Sequence, residues 1–148
     1  MKTLITGHRL FKLQQYDTDL IKELISEVFD TTFLANTSYG LSGAASGVDL
    51  WFCNELCRRK IPYAMYVPFE TQSLTMDKGE QKERELIFER AANIYSCRNS
   101  KMVEDAWAGL VVFDGNKGGT HNVFQQLLEA GKPFIWINPV NMKYYEII

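Results

Sequence analysis

Short apolar runs alternate along the chain with longer stretches in which apolar residues recur every three to four positions. The first run, KTLIT (2–6), is rich in β-branched residues and stops at Gly7, which predicts a buried strand. DTDLIKELISEVFD (17–30) then sets Leu20, Leu24, Val28 and Ile21, Ile25, Phe29 at helical spacing behind an Asp/Thr cap. The alternation continues. YGLSG (39–43) predicts a second strand, and GVDLWFCNELCRRK (47–60) a helix with Asp49 in its first turn and Arg58, Arg59 and Lys60 in its last, as the helix dipole prefers. PYAMYVP (62–68) predicts a third strand. DKGEQKERELIFERAAN (77–93) predicts a helix that is charged at first and apolar later, and RNSKMVEDA (98–106) a shorter one. Strands at 109–113 and 133–137 flank a helix at 119–130 that ends on Gly131.

Strands of four to seven residues joined by helices predict an α/β, Rossmann-like fold, a mostly parallel sheet with helices on both faces. No repeat or linker divides residues 1–148, so a single domain is expected, with 139–148 as a C-terminal tail. Only ETQSLTMDKGEQ (70–81) is long and polar enough to suggest a mobile loop. The 148 residues, 46% of them hydrophobic and 13% aromatic, suffice for a core and argue against disorder. Trp51, Trp107 and Trp136 lie among apolar residues and are expected in that core.

Sixteen basic against 18 acidic residues leave a net charge of −2, which marks out neither a nucleic acid nor a membrane as partner. Cys53, Cys57 and Cys97 form an odd set without redox or zinc spacing, and read as buried thiols in a reducing compartment. The apolar start ends at Gly7, too short for a signal peptide, and no segment has membrane-spanning length. A cytoplasmic location is expected, in the host cytoplasm if the chain is viral.

In open α/β sheets, ligands bind beyond the carboxyl ends of the strands, so the residues that follow each strand are the candidates for function. The first strand is followed by Thr6, Gly7, His8 and Arg9. The second is followed by Ser42, Gly43, Ala44, Ala45, Ser46, Gly47 and Asp49, a small-residue turn that would let a ligand approach backbone amides. The strand at 109–113 is followed by Asp114, Gly115, Gly118, Gly119 and Thr120, whose amides and hydroxyl at a helix N-terminus make a seat for phosphate. Neither a Walker loop nor GxGxxG is present, which disfavours a conventional nucleotide triphosphatase or dehydrogenase. No cofactor and no metal is expected.

Four segments in order, ITGHR (5–9), SGAASGVDLWFCNE (42–55), RNSKMVEDA (98–106) and VVFDGNKGGTHNVFQQLLEAGKPFIWI (111–137), resemble the SLOG superfamily, which gathers SMF/DprA and LOG proteins. The resemblance covers residues 1–139 and points to the stand-alone YspA/YpsA-like branch. It implies a pocket for a nucleotide or nucleotide-derived small molecule, and a homodimer or larger homo-oligomer. LOG hydrolases carry PGGxGTxxE, and aligning the GGT sets Val123 where their glutamate stands. Their second signature is similar to Arg98, Asn99 and Met102, so Arg98 and Asn99 are implied as ligand contacts.

Simpler readings stand beside these. His8 and Arg9 could cap a strand, Asp49 could complement a helix dipole, Glu55 could be an exposed helix acid, and Asp114–Gly115 could be an ordinary turn. Two functions follow. One is a sensor or sequestering module that binds a nucleotide-derived molecule. The other is a phosphoribohydrolase-like enzyme that cleaves the N-glycosidic bond of a nucleoside monophosphate or ADP-ribose-like substrate, with Glu55 or Asp49, expected on one helix face, supplying the acid. DNA binding in the DprA manner would want a basic face, which the acidic chain does not advertise.

Overall fold

The computed structural model describes residues 1–97 and 99–148, with the side chains of Glu70 and Thr71 outside the description. Its strands are β1 (Lys2–Gly7), β2 (Tyr39–Ser42), β3 (Tyr63–Val67), β4 (Asn93–Ser96), β5 (Ala108–Val112), β6 (Phe134–Asn138) and β7 (Lys143–Ile147). The helices are α1 (Leu10–Leu13), α2 (Thr18–Thr31), α3 (Val48–Arg58), α4 (Lys78–Arg90), α5 (Asn99–Asp105) and α6 (Gly119–Glu129), with 3-10 turns at Phe33–Asn36 and Glu70–Thr75. The fold is α/β and Rossmann-like. One seven-stranded sheet runs in the order β4-β3-β2-β1-β5-β6-β7, parallel except for β7.

Burial explains the apolar runs. β1 and β5 sit at the centre with a helix layer on each face, so Leu4, Ile5 and Leu110 to Val112 are fully enclosed, as a two-sided parallel sheet requires. The α2, α3 and α4 side packs Ile21, Val28, Phe52 and Ile87 onto Ile5, Tyr63 and Met65. On the other side Met102, Val103, Val123 and Leu127 of α5 and α6 cover Leu4, Leu41 and Val111. Asp17 starts α2 by accepting a hydrogen bond from the Leu20 amide, as the Asp/Thr cap foretells. The strand register aligns the exits: Ile5 faces both Ser42 and Leu110, and Gly7 faces Val112.

Four expectations change. The helix placed at 77–93 ends at Arg90, and 93–96 forms the edge strand β4, because the Ala92 amide donates to the Tyr63 carbonyl and the chain turns extended at Ala91. Segment 139–148 is no tail: after a turn at Met142 it pairs antiparallel with β6, where Tyr145 packs on Trp136. The polar stretch 70–81 is a 3-10 turn leading into α4, anchored by buried Gln72 and Met76. Trp107 is 71% exposed, since it precedes β5 on the rim rather than lying within it.

The exits of β1 and β2 touch through glycine. A Cβ on Gly7 would stand 2.6 Å from Val48 Cβ, and one on Gly47 (φ +85°) would stand 2.8 Å from the Leu10 nitrogen and 2.9 Å from the His8 carbonyl oxygen. Gly47→Ala therefore combines a backbone clash with a left-handed conformation. It is expected to destabilise the protein by roughly 2–4 kcal/mol in urea denaturation, by the scale of such strain and overpacking; a change within about 0.5 kcal/mol, the scale of neutral surface substitutions, would mean the two exits do not pack this closely.

Candidate functional site

The loop from Ser42 to Gly47 is held from within and from α4. Ser42 Oγ donates to the Asp49 carbonyl (3.0 Å) and accepts from the Ala44 amide (3.3 Å), while the Ala45 amide donates to Asp49 Oδ2 (3.1 Å). Glu80 reaches over from the first turn of α4, where its carboxylate accepts from Ser46 Oγ (2.9 Å) and the Gly47 amide (3.1 Å). Gln72 donates to the Gly43 carbonyl (2.8 Å) and accepts from Arg84 (2.9 Å). The reading of this turn as a row of amides open to a ligand is thus corrected for Ala44, Ala45 and Gly47. Their amides serve Ser42, Asp49 and Glu80, and the dipole at the start of α3 is already met by an acid.

The start of α6 is different. Gly118 caps it without any side-chain hydrogen bond, and its first turn carries no acid. Gly118 and Gly119 are exposed, with open space where a Cβ would project. The preceding turn is tied down by hydrogen bonds. The Asp114 carboxylate accepts from the Asn116 amide (3.0 Å) and from Tyr16 Oη (3.2 Å), and Gly115 takes φ +94°. Burial pushes the Asp114 carboxyl up, but the Asn116 amide and His8 outweigh it and hold the group below the usual aspartate value.

His8 Nε2 lies 3.0 Å from both the Asp114 amide nitrogen and Asp114 Oδ1. One nitrogen cannot accept from the first and donate to the second together. Burial, together with Lys12, lowers the His8 pKa more than Asp114 raises it, so at neutral pH the ring is uncharged, and its Nε2 accepts from the Asp114 amide. His8, Asp114 and Gly115 therefore fix the β5 exit beside the β1 exit.

Between these exits lies a pocket of about 380 Å³. Gly7, His8 and Arg9 enter it from β1, Gly43 and Asp49 from the β2 side, Asn99 from α5, and Gly118, Gly119 and Thr120 from α6. Ala44, Gly47, Asp114 and Gly115 do not line it. Arg98 lies outside the described residues. Phe11, Lys12, Pro68, Phe69, Gln72 and Met102 line it as well, and sequence reasoning missed them; extending the inspection of strand exits to the third strand would have found Pro68 and Phe69.

Glu55 belongs elsewhere. Six residues of helix advance about 600°, some 120° short of two turns, so it does not share Asp49's face. It pairs with Arg58 and with Arg59 (2.7 Å), and although burial raises its pKa the two arginines hold it below the usual glutamate value. Val123 is buried in the core under α6.

Comparison with known proteins adds no identity. No family model matches the chain, and no curated protein matches it significantly.

Asp49 is the chemically unusual group in this pocket. Its side chain is buried, Oδ2 is engaged by Ala45, and Oδ1 has no hydrogen-bond partner among the described residues. Burial pushes its carboxyl up to about 7, against the opposing pull of the Ala45 amide and Arg9. Near neutrality such a group can accept a hydrogen bond, donate one, or move a proton.

The raised value fixes a sign. From about pH 4 upward the unfolded chain releases this proton while the native state keeps it until about pH 7, so stability falls as pH rises through that window. Asp49→Asn abolishes the titration. The variant should gain about 2–3 kcal/mol on the natural protein between pH 5 and pH 8, at roughly 1.4 kcal/mol per unit, in denaturant unfolding. An identical difference at both pH values would contradict the buried, proton-retaining acid.

Proposed function

We propose that this protein binds a nucleotide or a nucleotide-derived small molecule at the carboxyl ends of its parallel strands, as a sensor or sequestering module. One observation carries the reading: the same pocket is lined by an open helix N-terminus, at Gly118 to Thr120, and by a buried acid, Asp49, with one oxygen that no described residue engages. The first suits a phosphate and the second a ribose or base donor. Its position beside β1 and β5, where the strand order turns, is where α/β sheets accommodate such ligands. Arg9 and Lys12 add positive charge. The resemblance to the SLOG superfamily supports the same ligand class and a homo-oligomeric assembly.

A second reading, N-glycosidic hydrolysis, draws on Asp49 alone. Departure of the base builds positive charge on the ribose, and a carboxyl titrating near 7 inside the pocket can stabilise that charge or relay a proton. Glu55, paired with two arginines on another surface, has no part in it. Val123 is apolar and buried.

Two experiments follow. Gly119→Asp adds bulk and negative charge in open space at the start of α6, so the fold should persist while AMP affinity measured by calorimetry drops about a hundredfold or more, the scale of two or three lost charge-assisted hydrogen bonds. A folded variant that binds AMP as the natural protein does would move the phosphate seat elsewhere. For the choice between readings, AMP incubated with the protein should be recovered intact by chromatography. Rapid adenine release that Asp49→Asn abolishes would establish the hydrolase instead.

A further inference from the structure

Two large aromatic side chains stand at the rim of the pocket without a structural task. Phe11 is 71% exposed and Phe69 is 48% exposed, and both line the pocket. Neither belongs to a core cluster, and among the described residues neither stacks on another ring. They come from different strand exits, Phe11 from the short helix after β1 and Phe69 from the turn after β3. Exposed rings that converge on one cavity from separate loops are the arrangement that holds a flat π-surface.

The order of the exits gives the pocket a direction. Phe69 follows β3, Asp49 follows β2, Arg9 and Phe11 follow β1, and the open start of α6 follows β5. Neighbouring strands stand about 4.8 Å apart, so the three intervals from β3 to β5 span roughly 14 Å. That is the reach of an extended nucleotide from base to phosphate. The anion-seeking end is at β5 and the apolar end at β3, with Asp49 Oδ1, unpartnered among the described residues, between them.

We infer that the ligand lies across the strand exits with its base held between Phe11 and Phe69, over the β2 exit where a donor on its edge meets Asp49, and with its phosphate on the first turn of α6. This rests on the nucleotide-binding reading and adds the ligand's orientation and the two residues that recognise its base. Stacking tolerates any base, so these rings select for the presence of a base rather than for its identity.

The test is calorimetry with AMP, GMP, CMP, UMP and ribose 5-phosphate on the natural protein and on Phe11→Ala, Phe69→Ala, Phe11→Tyr and Phe69→Tyr. Because Phe11 is largely exposed, Phe69 about half exposed, and neither belongs to a core cluster, all four variants should keep the natural unfolding midpoint. The best nucleotide should bind at least tenfold more tightly than ribose 5-phosphate. Each alanine variant should lose about tenfold toward that nucleotide and little toward ribose 5-phosphate, and each tyrosine variant should retain affinity. Equal binding of nucleotide and ribose 5-phosphate, or alanine variants that keep the full preference, would overturn the base assignment while leaving the phosphate seat intact. Loss through one ring only would overturn the paired arrangement. Failure of all five compounds to bind the natural protein would overturn the nucleotide-binding reading, and the orientation with it.

Discussion

The site depends on one close crossing of backbone over backbone, where the chain leaving β1 passes the start of α3. Gly7 lies against Val48, and Gly47 lies against His8 and Leu10, at separations that leave no room for a Cβ on either glycine. Two loops that would otherwise stand a side chain apart are thereby brought into contact. The crossing sets Arg9 and Lys12 beside Asp49 in one pocket and leaves Phe11 at its rim. Glu80 and Gln72 secure the second loop from the far side, so both walls are fixed before any ligand arrives.

Asp49 shows what this arrangement gives up. A buried carboxyl with one oxygen unpaired among the described residues opposes folding once it ionises. Asn at this position would keep the hydrogen bond to Ala45 without the charge. Retaining the acid makes sense if a ligand completes its hydrogen bonding, in the way that active and binding sites commonly trade stability for chemistry. Glu80 illustrates the contrast. It too is an acid near a strand exit, but it caps α3 and receives a full set of partners, which makes it structural.

Much of the fold was legible because parallel strands buried on both faces read as unbroken apolar runs and helices as spaced ones. β1, β5, β6, α2, α3 and α6 all announce themselves that way. β4 did not, since all four of its residues are exposed and Asn93 to Ser96 lack a buried face to impose a pattern. β7 is short, half-exposed and held by its antiparallel partner, so its pairing is a long-range fact invisible locally. The lining of the pocket was legible where glycines and acids follow strands, as at Gly7, Gly43, Asp49 and Gly118 to Thr120. It was illegible where side chains far along the chain, such as Glu80, decide whether an amide is free. The expectation for Glu55 erred on helix geometry that six residues of spacing already contain.

The open start of α6 and the Asp49 loop are proposed to face one ligand. Amide chemical shifts from a titration of AMP into isotopically labelled protein address it most directly. Gly119 and Thr120 are expected to shift together with Arg9 and Ala45, saturating with a single dissociation constant, while Glu55 and its neighbours on α3 stay in place. Shifts confined to α6, shifts clustered around Glu55, or no response at all would contradict it.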